Sequence, residues 1–75
     1  MKKYSEKKWT EFFAFLDNLR ESGATNMYAA APYVMTAFSV DRNTAVNITS
    51  VWTKTFDREK APAVRATEYL ATILP

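Results

Sequence analysis

A single glycine, Gly23, serves all 75 residues of this chain. Turn-rich β folds place glycine wherever the backbone must take a positive φ, so a chain with one such residue has few sites for tight hairpins. What the sequence offers instead is apolar residues recurring at helical spacing. Trp9, Phe12, Phe13, Leu16 and Leu19 form one stripe, and Ala45, Ile48, Trp52 and Phe56 form another. The expected fold class is all-α.

Local signals set the helix limits. Ser5 is an N-cap, and Tyr4 before it and Trp9 at the fourth helical position have the spacing of a hydrophobic staple. Gly23 suits the left-handed residue that ends a helix. The first helix is therefore predicted over 6–21, with Lys7, Glu11, Asp17, Asn18 and Glu21 on a solvated outer face. Thr25 or Asn26 caps a second helix over 27–38, in which Pro32 forces either a kink or a fresh start. Asp41 caps a third over 42–55. Pro62, well placed in a first turn, opens a fourth over 62–73, with Ala66, Tyr69, Leu70 and Ile73 inward. The expectation is one domain: a compact bundle of four short helices in which the second and third form a helix-turn-helix-like hairpin.

A chain this short encloses one core and buries roughly 60% of its unfolded surface. With no cysteine and no histidine, disulfides and the usual zinc sites are excluded, so apolar side chains must supply the stability. They amount to 48% of the sequence, and 15% of it is aromatic. The longest apolar runs fall far short of the ~20 residues needed to span a bilayer. The expected setting is a reducing intracellular compartment, with no membrane partner.

The same two absences bear on chemistry. Histidine is the commonest general base and cysteine the strongest nucleophile. Among the carboxylates only Asp57 and Glu59 lie close in sequence, in a charged link. No glycine-rich loop is present to hold phosphates. We expect a binding protein without catalytic residues, cofactor or metal.

Two surfaces are candidates for binding. The first is the outer face of the third helix, where Asn43, Asn47, Ser50 and Lys54 fall at i, i+4, i+7 and i+11. Counting a helix-turn-helix unit from Ala31, apolar residues occupy the places where its helices touch: Val34, Phe38, Val40, Ala45 and Ile48. Ser39 stands at the turn position often held by glycine, and Met35 where a small residue is favoured. Asparagine bonds an adenine edge in two places, serine donates and accepts, and Lys54 neutralises a phosphate. Arg42 at the helix N-terminus, with Arg58, Lys60 and Arg65, extends a basic region. The partner implied is DNA, normally engaged by a homodimer. The competing account is a solvated face, since any amphipathic helix needs a polar outside. Lysines 2, 3, 7 and 8 are equally open, either as a phosphate-seeking arm or as a solubilising terminus.

The second surface is aromatic. Phe15 lies roughly 95° from the centre of the first helix's inner face, and Tyr28 and Tyr33 lie off the stripe of the second. If they surface together they form a patch suited to binding a partner protein; otherwise they widen the core.

The stretch RESGATNMYAAAPY, from Arg20 to Tyr33, followed by Phe38, Ala45, Trp52 and Phe56, resembles small phage and prophage proteins of uncharacterised function. Ala29 stands where that pattern carries glycine. The resemblance implies a phage-encoded helical accessory protein acting inside a bacterium, with no assigned activity to transfer.

Overall fold

The computed structural model describes residues 4–23 and 29–73, which form four α-helices: α1 (Glu6–Ser22), α2 (Ala31–Phe38), α3 (Arg42–Thr55) and α4 (Pro62–Ile73). The described residues contain no strand.

The ends of α1 follow from its sequence. The Lys8 amide donates to Ser5 Oγ at 3.1 Å, and the Tyr4 ring meets Trp9 edge-on at 6.1 Å, closing the staple. Gly23 ends the helix at φ 67°, its amide donating to Arg20 O at 3.3 Å. At α3, Asp41 Oδ1 accepts from the Thr44 amide at 2.8 Å, and the helix runs to Thr55 as expected. Pro62 is the first residue of α4.

The second helix differs from expectation. It begins at Ala31, not residue 27, with Pro32 in its first turn. Proline lacks the amide hydrogen and crowds the preceding turn, so it sits where no intrahelical donor is required. The proposed caps Thr25 and Asn26, together with Met27 and Tyr28, lie outside the described residues.

α1 packs along α4, α2 packs against α3, and α1 also touches α3. The core is Trp9, Phe12, Phe13, Leu16 and Leu19 from α1, Ala30, Ala31 and Val34 around α2, Ala45, Ile48 and Trp52 from α3, and Ala66 from α4. Its aromatic rings meet edge to face, Phe12 on Phe38 at 4.8 Å and Trp9 on Tyr69 at 4.9 Å. On α4, Tyr69 and Leu70 are half-buried, whereas Ile73, expected inward, is 52% exposed in the last turn.

A charged residue completes the interior. Arg65 is 2% exposed, and its Nη2 donates to Asp17 Oδ2 while its Nε donates to Lys60 O at 3.1 Å. The guanidinium lies 5.6 Å from the Phe13 ring centre and 5.3 Å from that of Phe56. The other oxygen of Asp17 accepts from Trp52 Nε1 at 2.8 Å. Asp17 is thus a bridge between α3 and α4, not a member of the solvated face where the helical wheel puts it.

Candidate functional site

The hairpin between α2 and α3 positions the first candidate surface. α2 ends at Phe38; Ser39 takes a left-handed conformation, φ 54° and ψ 46°, and both its amide and that of Val40 point back to Met35 O. This closure puts Val40 and Met35 at the two positions that apolar residues commonly fill beside such a cap. Ser39 thereby does what glycine commonly does in a helix-turn-helix turn, and both Val40 and Met35 pack against the core. Two residues later Asp41 starts α3.

Ala45, Ile48 and Trp52 pin one side of α3 to the core. At ~100° per residue, Asn43, Asn47, Ser50 and Lys54 point the opposite way. Asn43, Ser50 and Lys54 are exposed and Asn47 is half-buried. These residues do share a face, and Arg42 is exposed at its N-terminal edge.

The electrostatics of this face differ from expectation in three ways. Arg65 is buried against Asp17 and cannot reach a phosphate. Lys60 contributes little net charge, because its Nζ lies 3.0 Å from both carboxylate oxygens of Glu68. At the N-terminus of α3 the Asp41 carboxylate already takes the Thr44 amide, which leaves a phosphate only the first two amides of the helix. Hydrogen bonds from the Thr44 side chain and then its amide hold the Asp41 carboxyl below the ordinary aspartate range. On α3 and the link that follows it, Arg42, Lys54 and Arg58 form no ion pair among the described residues and are the cations available to this face. Of the N-terminal lysines, Lys2 and Lys3 lie outside the described residues, Lys7 is exposed, and Lys8 pairs with Glu11 at 3.5 Å.

The aromatic candidates divide. Phe15 is half-buried, edge-on to Phe38 at 5.4 Å, so it widens the core where α1 meets α2. Its remaining surface joins Tyr33, 41% exposed, with Pro32, Thr36 and Ala37 around a shallow groove of about 500 Å³. Tyr28 lies outside the described residues. Of the four groove residues on α2, Tyr33 was identified and Pro32, Thr36 and Ala37 were missed, since none of these three is an aromatic that would mark a surface.

Sequence reading gave Arg65 a surface role that its burial overturns, and it missed Val46. Arg65 precedes Ala66 and lies four positions before Tyr69, on the inner stripe of α4; a cation there requires an acid on a facing helix. Val46, three positions after Asn43 on the outer face of α3, is 48% exposed.

Among the described residues no group of His, Cys, Asp or Glu gathers to hold a metal ion, and no helix is long and apolar enough to cross a membrane. Comparison with protein-family models, curated proteins and solved structures finds no match.

Proposed function

We propose that this chain is a phage-encoded, non-enzymatic helix-turn-helix protein of the bacterial cytoplasm that binds duplex DNA through α3. The observation that carries the reading is the hairpin itself. A three-residue link with a left-handed Ser39 holds α3 against α2 by its apolar side, and the opposite side exposes Asn43, Ser50 and Lys54. Asn43, Asn47 and Ser50 supply base-edge chemistry, and Arg42, Lys54 and Arg58 supply phosphate contacts. Phage origin rests on the resemblance of residues 20–56.

Titration of a fluorescent duplex at about 50 and 200 mM salt tests this. Three phosphate contacts give a slope of log K on log salt of about −2.7, hence roughly a 40-fold loss of affinity over that range. Lys54→Ala should weaken binding to all sequences and reduce the slope. Absence of binding at the lower salt would overturn the proposal.

The groove favours a second reading, in which Phe15 and Tyr33 receive an apolar side chain of a host or viral protein. That binding would tolerate salt and be lost in Tyr33→Ala and in Ala37→Glu, both at exposed positions of α2.

A further inference from the structure

Val46 is an apolar residue in a polar stripe. It is 48% exposed and does not belong to the core or to the half-buried side chains packed on it. At ~100° per residue, Asn43, Val46, Asn47 and Ser50 fall within an arc of about 100°, centred opposite Ala45, Ile48 and Trp52. Counted from Ala31 as the first residue of the hairpin unit, Val46 sits one turn into α3, in the N-terminal half from which such helices meet base edges. A β-branched side chain has a lower helix propensity than the straight-chain residues usual on helix surfaces, and here it lies outside the packed core of the described residues.

We infer that Val46 is a specificity-determining residue that packs on the C5-methyl group of a thymine, next to an adenine read by Asn43. The inference rests on the DNA reading of α3. In the major groove thymine alone presents a methyl group, and adenine alone pairs an N7 acceptor with an N6 donor, the complement of an asparagine amide. An isopropyl group and a carboxamide three residues apart on one helix face therefore match neighbouring A·T pairs. A G·C pair would leave the valine methyls against polar base edges, and the amide of Asn43 would lose its double contact. Ser50, a further turn along, adapts to either base and adds no such constraint.

The test starts with selection from a randomised duplex library at about 50 mM salt. The enriched duplex is then titrated by fluorescence anisotropy beside versions in which uracil replaces each thymine in turn, a change that removes only the methyl group. The wild-type chain should enrich sites with adjacent A·T pairs and lose roughly 4-fold in affinity at one uracil position, the worth of one buried methyl. Val46→Ala should bind the thymine duplex about as weakly as the wild type binds that uracil duplex, and should be indifferent to the replacement. Val46→Thr, which keeps the branched shape, should retain part of the sensitivity. Because Val46 is outside the core, the variants should keep a cooperative thermal transition at or slightly above the wild-type temperature, Val46→Ala gaining a little from its better helix propensity. Binding that responds neither to uracil nor to Val46→Ala would overturn the thymine contact and leave the DNA reading standing. Failure of every duplex to bind would overturn both.

Discussion

Asp17→Ala should be among the most damaging substitutions in this protein, although the residue is only half-buried and its position on the helical wheel suggests a solvated role. Asp17 is the sole ion-pair partner, among the described residues, of an arginine with 1% side-chain exposure, and it also accepts the Trp52 indole hydrogen. Removing one partner of a buried pair costs about 3–5 kcal/mol, because the remaining charge has neither water nor counter-ion. The Asp17 side chain keeps 25% of its exposure, so water can enter and the lower half of that range applies to the charge. Loss of the hydrogen bond to Trp52 adds about 1 kcal/mol. A total of roughly 4 kcal/mol compares with about 4–11 kcal/mol expected for a whole domain of 75 residues. At about 4–8 °C per kcal/mol, Tm should fall by some 15–30 °C. Urea unfolding followed by circular dichroism and tryptophan fluorescence gives the difference directly. Asp17→Asn keeps an acceptor for Trp52 and should lie in between. Arg65→Met added to Asp17→Ala should restore about 1–2 kcal/mol, since an apolar side chain then fills the space between Phe13 and Phe56 without an unpaired charge. If the two single losses simply add in the double variant, or if Asp17→Ala costs under about 1 kcal/mol, the account of a buried, interdependent pair is refuted.

Gly23→Ala should destabilise by about 1 kcal/mol in the same unfolding assay: a Cβ there meets nothing within 4 Å, so the loss comes from the left-handed backbone alone. At Ser39, the other left-handed residue among those described, Ser39→Gly should be neutral or slightly stabilising, and Ser39→Val should cost about 1–2 kcal/mol. Asp41 has a lowered carboxyl pKa in the folded state, so its contribution is complete above the unfolded value of about 3.9 and is lost as pH falls through the folded value. Asp41→Asn, a cap that does not titrate, should remove that part of the acid sensitivity of α3, measurable by circular dichroism from pH 5 to 2.

Features governed by a few neighbouring residues were legible in the sequence. Ser5, Gly23 and Asp41 each satisfy backbone groups within three residues of themselves, and α3 and α4 run over the expected residues. The start of α2 was not legible in this way, because the apolar spacing continues smoothly across Pro32 and only the ring's demand for a first-turn position decides between a kink and a new helix. Arg65 was hidden by distance, its counter-ion lying 48 residues away on another helix. Once Arg65 turns inward, Asp17 must follow, and neither side chain remains for the surface role its charge suggests. The polar stripe of α3 was legible because its residues are four or fewer apart. Val46 was not, since the spacing leaves it off the inner stripe and a lone apolar residue on a helix surface carries no signal of its own.

The loss of Arg65 and Lys60 from the basic face sharpens what DNA binding would require. Three phosphate contacts per chain, from Arg42, Lys54 and Arg58, are too few to hold one copy on DNA at physiological salt, where proteins with six to ten contacts bind non-specifically at roughly 10⁻⁴–10⁻⁶ M. Two copies on one site double the number. The salt slope therefore counts chains: about −2.7 for a single copy and about −5.4 for a pair, or roughly 40-fold against about 1,800-fold between 50 and 200 mM. A helix-turn-helix pair also sets its half-sites one helical turn apart, so inserting five base pairs between them should abolish the steeper slope and leave the shallower one. A steep slope that survives this insertion would mean that further cations reach the phosphates, with the N-terminal lysines the first to replace, as Lys2→Ala, Lys3→Ala and Lys7→Ala together.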